Sequence, residues 1–395
     1  MGKYANVEKM VNLSRQSWKE AESSGLARIR TVGARGNKLV AENGHEFINM
    51  CSCSYLGLDR HPLVIEGAVE AMRQEGALWL SVSRARIAPR LISEVEDLLS
   101  ELFGGHATAA VSCSSASVGV LPLLASGHFT GGDKPLMIFD KHCHFSMNVM
   151  KASCADETEI VTCEHNDVGF IEDMCKKHKQ VAYVGDGAYS MGGRAPVAEL
   201  KQLQEKYGLF LYLDDSHSLS AYGARGRGYV RTEFGELGDR TIVVASLGKA
   251  FGTAGGMVLT GTTRFRDLLS YFGGPLAWSQ PINSAVLGAV RASARIHLTS
   301  ELESLQHQLK SVLDCFDEVI PNVHADNGMP IRIIDLPSPT IAVQASSVLY
   351  AEGFYTSPVF FPIVAKGRSG VRVMGRANMT PSEISRFCEI ARTFA

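Results

Sequence analysis

The sequence has no excess of either charge: 39 Lys+Arg stand against 41 Asp+Glu, a formal net charge of -2 over 395 residues. A polyanionic partner selects strongly basic surfaces, so nucleic acid is not an expected partner. Disorder needs low hydrophobicity together with high net charge, and 45% apolar with 20% charged residues supply neither. No window reaches the roughly 20 apolar residues of a membrane span. The least polar stretch, 241–261, is broken by Lys249 and several glycines. Met1 to Lys9 carries charges without an apolar run, so no secretory signal is expected. Nine cysteines, an odd number spread from Cys51 to Cys388, do not form a disulfide framework in so long a chain. These absences predict a soluble protein of a reducing, cytoplasmic compartment. Internal repeats and Pro- or Ser-rich linkers are also missing. His142, Cys143, His144, Cys154, Cys163 and His165 fall on different segments without C-x-x-C or H-x3-H spacing, so no metal is expected. Gly223-x-x-Gly226-x-Gly228 has the wrong spacing for a dinucleotide fingerprint and does not follow a strand.

What is present is an alternation. Glu8 to Glu22, Pro62 to Glu75, Ile92 to Phe103 and Ala198 to Tyr207 read as helices, and 39–50 reads as extended. Leu136 to Phe139, Val181 to Val184, Leu209 to Leu213 and Ile242 to Ala245 are short, apolar, and β-branched or aromatic, which favours strand. Strands alternating with helices, apolar on both faces, predict an α/β body with a mostly parallel sheet covered on both sides. After about Ser284 a long helical pattern runs to Val319. A mixed tail follows, with strand candidates at Ile331 to Ile334, Thr340 to Val343 and Gly370 to Met374. The expected division is an N-terminal helix and extension (1–58), a large sheet domain (59–285) and a smaller C-terminal α+β domain (286–395).

In open parallel sheets functional groups collect beyond the carboxyl ends of the strands. Three such ends carry chemistry. One runs into Asp214-Asp215-Ser216-His217, one into Ser246-Leu247-Gly248-Lys249, and one into Asp140-Lys141-His142-Cys143-His144. Lys249 follows a buried strand and precedes the almost uncharged stretch 250–256; burying an ammonium is costly, which suits a lysine that reacts as the free amine. Alone, it reads rather as a strand-end lysine reaching for the surface. Asp214 stands where a buried carboxylate could hold a cationic ring nitrogen, though alone it reads as turn chemistry; the strand-end Asp-x-x-His followed by a strand-end lysine favours the carboxylate role. Small residues at Ser112 to Ser117, before the apolar run Val118 to Leu124, expose backbone N–H groups as a phosphate cradle, or else cap a helix and nothing more. Lysine, aspartate, histidine and cradle together suggest pyridoxal 5'-phosphate.

On these residues the chain resembles the α-oxoamine synthases among the fold-type I pyridoxal phosphate enzymes. The most specific pieces are Asp214-Asp215-Ser216-His217-Ser218, Ser246-Leu247-Gly248-Lys249-Ala250-Phe251-Gly252 and Asp140-x-x-x-His144-x-Ser146. Ser54-Tyr55-Leu56-Gly57-Leu58, Tyr189-Ser190-Met191-x-Gly193 and Val371-Arg372-Val373 extend the likeness over nearly the whole chain. Leu78-Trp79-Leu80-Ser81-Val82-Ser83 is most similar to the CAI-1 autoinducer synthase branch.

The resemblance implies an aspartate aminotransferase-like fold and a set of roles. Lys249 would bind the coenzyme as a Schiff base and serve as acid and base, Asp214 would pair with the ring nitrogen, and His144 would stack on the ring. His217 and Ser190 would contact the ring oxygen or its neighbours. The amides of Cys113 and Ser114, with the Ser246 hydroxyl, would hold the phosphate, and Arg372 would receive an amino-acid carboxylate. The implied reaction is a decarboxylative condensation of an amino acid with an acyl thioester, on coenzyme A or an acyl carrier protein, in a homodimer. An aminotransferase or lyase using the same ring-binding residues is the alternative. The sequence departs from the family pattern at Ser54, where Asn is usual, and at Ser112-Cys113-Ser114, where Ser-Gly-aromatic is usual. It departs again at Ala277 to Pro281, where Ser279 or Gln280 would have to reach the partner's phosphate.

Overall fold

The structure, a computed structural model, describes residues 7–361 and 363–395. Two compact units emerge: Leu56–Ser190 with Arg194–Ser304, and Met1–Tyr55 with Met191–Gly193 and Leu305–Ala395.

The larger unit is built on seven strands. Their spatial order is His106–Ala110, Gly256–Thr260, Thr241–Ser246, Phe210–Asp214, Val181–Asp186, Leu136–Asp140, Ile160–Cys163. Pairings from Thr241–Ser246 across to Ile160–Cys163 are parallel, and Gly256–Thr260 runs antiparallel to both of its neighbours. Five of the strands bury every residue, or all but the first, so only uncharged side chains fit their interiors. Interior polar atoms in the parallel strands are hydroxyls such as those of Tyr183 and Tyr212, bonded to Asp140 and Ser117, while the carboxylates come last: Asp140, Asp186 and Asp214, like Ser246, each end a strand at the same edge. The helix Pro62–Glu75 begins with His61 accepting from Leu63 N and Pro62 at the first turn. It stops at Gly76, whose φ of 65° suits glycine.

The helical pattern from Ser284 to Val319 is two helices, Ser284–His297 and Ser300–Val319. The first lies in the larger unit because it packs on Pro62–Glu75 with the two backbones almost touching. A Cβ on Gly288 would meet Gly67 O at 2.1 Å and Ala71 Cβ at 2.4 Å. The same helix ends in His297, buried at 2% exposure. Its Nδ1 donates to Ser293 O (2.8 Å), which leaves Nε2 to accept from the Ser220 hydroxyl (2.8 Å). Burial pushes the imidazole down to about 4 from an ordinary 6.5. A group held neutral in this way stabilises the fold fully above pH 6.5, and that stability is lost as pH falls toward 4. Unfolding free energy should therefore fall by about 2 kcal/mol between pH 7.5 and pH 5 from this residue. His297→Gln should remove that part of the pH dependence in urea titrations, and an unchanged pH slope would refute the assignment.

The smaller unit holds two sheets. One runs Thr31–Arg35, Lys38–Ala41, Glu46–Asn49, Phe354–Tyr355, with the last pair parallel; the other runs Ile331–Asp335, Gly370–Met374, Ser357–Val359, all antiparallel. The N-terminal segment thus shares a sheet with the C-terminal part, and Ile48, Phe316, Phe354 and Phe387 lie in one core. The strand expected at Thr340 to Val343 is instead the first turns of the helix Pro339–Ala351. Ser338 accepts from Ile341 N, and Pro339 occupies the first helical turn, so capping chemistry overrides the β-branched residues. A buried ion pair, Arg332 Nε to Asp317 Oδ1 at 2.6 Å, ties the second sheet to the helix Ser300–Val319. Among the described residues no helix is long and apolar enough to cross a membrane.

Candidate active site

The strand ends of the larger unit converge on one polar cluster. Lys249 Nζ lies 2.7 Å from His217 Nε2. Its backbone sits in a turn closed by Gly252 N to Lys249 O (2.9 Å) and Thr253 N to Leu247 O (3.0 Å). Asp214 is 3% exposed. Its Oδ1 accepts from Ser216 N at 3.0 Å, and its Oδ2 lies 3.3 Å from Cys113 Sγ. His144 caps the short helix Phe145–Asn148, with Nδ1 on the Ser146 hydroxyl at 2.9 Å and its own amide on Asp186 Oδ2 at 2.8 Å. Burial lowers the His144 imidazole below its ordinary value, while Asp214 pulls it up and Lys249 pulls it down. A neutral ring beside a lysine avoids like-charge repulsion and leaves a flat apolar face.

Two neighbours of this cluster carry weight that the linear sequence does not reveal. Asp186 pairs in register with Asp214 on the adjacent strand. Burial first, and then the charge of Asp214, push the Asp186 carboxyl well above its ordinary value. Ser216 takes Ser246 N on its hydroxyl at 2.7 Å and so joins two strand ends. Position at the end of a parallel strand is the signal that marks Asp186 as it marks Asp214. Asp215, beside them, accepts from Val230 N at 3.0 Å, and burial pushes it up to about 7.

The helix Cys113–Ala125 supplies the cradle. Ser112 caps it in a reciprocal box with Ser115, and Ala116 N goes to Ser112 O. This accounts for the third and fourth amides, and the first two, on Cys113 and Ser114, are those a helix start turns toward an outside anion. Ser246, the last residue of its strand, accepts from Gly248 N at 3.2 Å and lies opposite Gly256 in the register. Ser190 follows the loop beyond Val181–Asp186, next to Tyr189, whose hydroxyl bonds Asn166 Oδ1 at 3.2 Å. Ser279 is exposed just past the short helix Pro275–Trp278.

Ser54 and Arg372 are placed in the smaller unit. Arg372 stands mid-strand in Gly370–Met374, between Ile333 and Ser357, with Nη1 4.0 Å from Met191 Sδ. Its charge acts on Cys51 and Tyr55, either side of Ser54 along the chain, though burial dominates there and pushes Cys51 up to about 12. His142 and His165 stack on each other at 4.4 Å, and His165 Nδ1 bonds Asp140 Oδ1 at 3.1 Å. These side chains hold the loop that leads to His144. Among the described residues no group of three His, Cys, Asp or Glu could hold a metal ion.

A reactive amine, a buried carboxylate, a neutral imidazole and an anion-binding helix start are the groups that pyridoxal 5'-phosphate needs, for its aldehyde, ring nitrogen, ring face and phosphate. The residues present fit that coenzyme. Fold and site together define a fold-type I pyridoxal phosphate-dependent transferase. The chain belongs to the aminotransferase class I and II family, whose profile matches residues 45–390. It is 28% identical to the 8-amino-7-oxononanoate synthase of Alkaliphilus metalliredigens over 361 residues, 88% of this chain and 87% of that one. The same enzyme of Treponema denticola is 27% identical over 395 residues, covering 98% of this chain and 97% of its own. Among solved structures, a serine palmitoyltransferase from S. paucimobilis with PLP-myriocin bound superimposes with a TM-score of 0.85. That match is at 22% identity over 98% of this chain and 97% of that one.

Proposed function

We propose that the protein is an α-oxoamine synthase: it condenses an α-amino acid with an acyl thioester to give an α-aminoketone, a free thiol and carbon dioxide. One carbon–carbon bond forms between the amino acid's α-carbon and the thioester carbonyl, while the carbon–sulfur bond and the bond to the carboxylate break. The observation that carries this is Lys249 held 2.7 Å from His217 at the end of the sheet that buries Asp214. Likeness to synthases of this class over nearly the full chain supports it.

Pyridoxal 5'-phosphate, when bound, supplies the electron sink that makes the α-carbon of an amino acid acidic. The chain's own residues do the rest. Lys249 Nζ takes the α-proton and returns one to the product; His217 Nε2 keeps that amine in place. Asp214, fixed by Ser216 N on Oδ1 and by the Cys113 thiol on Oδ2, would pair with the ring nitrogen. His144, a neutral imidazole fixed by Ser146 and Asp186, would cover a ring face. The amides of Cys113 and Ser114 with the Ser246 hydroxyl would hold the phosphate, and His217 and Ser190 would take the ring oxygen. Arg372 receives the substrate carboxylate in a two-bond pairing that only a guanidinium makes, and Ser54 lines that carboxylate's side.

Within the class, Leu78 to Ser83 supports the CAI-1 autoinducer branch, with coenzyme A or an acyl carrier protein as acyl carrier. Leu78, Trp79, Leu80, Tyr271, Phe272 and Trp278 are all exposed. Trp79 Nε1 bonds Pro281 O at 2.9 Å, and the Ser83 hydroxyl bonds Ala277 O at 2.7 Å, so the two segments form one apolar surface. A surface of this kind suits a homodimer, in which Ser279 reaches the partner's phosphate, and the cytoplasm suits nine free cysteines. Incubating the protein with coenzyme, single amino acids and a panel of acyl thioesters should release thiol and carbon dioxide in equal amounts. Neither product from any pair would sink the proposal; a keto acid formed without thioester would favour the aminotransferase reading that the family's name carries.

A further inference from the structure

The carboxylate of Asp214 is reached by side chains whose hydrogens all run one way. Ser246 N–H can only donate, and it gives its hydrogen to Ser216 Oγ at 2.7 Å. The Ser216 hydroxyl hydrogen is then directed to Cys113 Sγ, 3.6 Å away. The Cys113 thiol hydrogen in turn points to Asp214 Oδ2, at 3.3 Å. Asp214 Oδ1 is engaged separately by Ser216 N at 3.0 Å. Burial keeps the Cys113 thiol protonated far above its ordinary range, so it is a donor at any working pH. The chain of donors begins at the strand end that carries Ser246, passes through the first residue of the helix Cys113–Ala125, and ends on the carboxylate proposed to pair with the ring nitrogen.

We propose that Ser216 and Cys113 are positioning residues of a donor relay, Ser246 N–H to Ser216 Oγ–H to Cys113 Sγ–H, that ends on Asp214 Oδ2 and sets how much negative charge Asp214 presents to the coenzyme ring. This rests on the coenzyme site described above. Donors to a carboxylate spread its charge, and a carboxylate that loses one favours nearby cations more strongly. The other groups acting with Asp214 are His144, Asp186, Asp215 and Tyr212, while Lys249 acts on Cys113 itself, and none of them changes in the variants below. A Cys at position 113 thus adds a side-chain donor where the family pattern of Ser-Gly-aromatic has none.

The test is the pH titration of the visible absorption band that the protein acquires with pyridoxal 5'-phosphate, read without any substrate. Cys113→Ala should raise its midpoint by about half to one pH unit, a three- to tenfold change in the protonation equilibrium, as expected for a lost hydrogen bond to a charged group. Cys113→Ser keeps a donor and should stay within about 0.2 unit of wild type. Ser216→Ala should shift the midpoint in the same direction in the wild-type background and not at all in Cys113→Ala. A midpoint unmoved by either alanine, or shifts that simply add in the double variant, would overturn the relay. If Cys113→Ala does not fold, Ser216→Ala decides alone: a raised midpoint supports the relay and an unmoved one ends it. Wild-type protein that takes up no coenzyme overturns the site itself, and the relay with it.

Discussion

Lys249→Ala is expected to abolish the visible band formed with pyridoxal 5'-phosphate, and to lower turnover by at least about 10³-fold, while the protein remains folded. The turn that carries Lys249 is held without its side chain, by Gly252 N to Lys249 O, Thr253 N to Leu247 O, Gly248 N to Ser246 Oγ and Thr253 Oγ1 to Leu247 O. Nothing in the backbone depends on the side chain. The side-chain bond lost is the one to His217 Nε2, at a site that is only partly buried, so denaturation free energy should change by no more than about 1 kcal/mol. Lys249→Arg is the sharper companion. It restores a positive charge beside His217, yet a guanidinium does not form a Schiff base at neutral pH. Both variants should therefore be colourless, and borohydride should fix coenzyme to the wild type alone. A coloured, borohydride-sensitive Lys249→Ala would show that another amine carries the coenzyme.

That Lys249, Asp214 and His144 could be found at all from the sequence follows from sheet geometry. A parallel strand buried on both faces admits no charged residue until it ends, so Phe210 to Leu213 and Thr241 to Ala245 point at the residues that follow them. Pro62 to Glu75 was legible for a similar reason, since Pro62 and Gly76 mark its two ends. Side-chain bonds between distant segments are of another kind. Nothing in the order of residues states that Ser216 bridges Ser246 and Cys113, or that Asp186 holds the amide of His144. Such contacts depend on the lateral order of strands, which periodicity does not encode. Thr340 to Val343 failed as a strand for a local reason: Ser338 and Pro339 are a helix start, and that signal outweighs four β-branched or apolar residues in a row. The same blindness applied to Glu46–Asn49, whose parallel partner Phe354–Tyr355 lies some 300 residues away; no local pattern could join them.

Gly256→Ala should weaken pyridoxal 5'-phosphate binding by about 30-fold, close to 2 kcal/mol of the kind that overpacking costs. Gly256 opens the strand Gly256–Thr260, paired on one side with Ser246 and on the other with Ala110. A Cβ there would sit 2.5 Å from Cys113 N and from Ser112 C, and 2.8 Å from Ser112 O. All three obstacles are backbone, so no side chain can rotate away to make room. They belong to a helix start locked by the Ser112–Ser115 capping box, which resists local rearrangement. The added methyl must therefore move the whole first turn of Cys113–Ala125 away from the strand that carries Ser246. That displacement would pull the Cys113 and Ser114 amides away from the proposed phosphate position and stretch the contact from Cys113 Sγ to Asp214. The sheet itself need not yield, because the methyl is directed at the helix and the strand's ladder bonds stay intact. Gly238→Ala is the control, an exposed glycine whose Cβ would have nothing within 4 Å. Equilibrium titration of the coenzyme-free protein, followed by fluorescence, separates the two outcomes. If Gly256→Ala binds within about twofold of Gly238→Ala, the helix start is not what holds the phosphate.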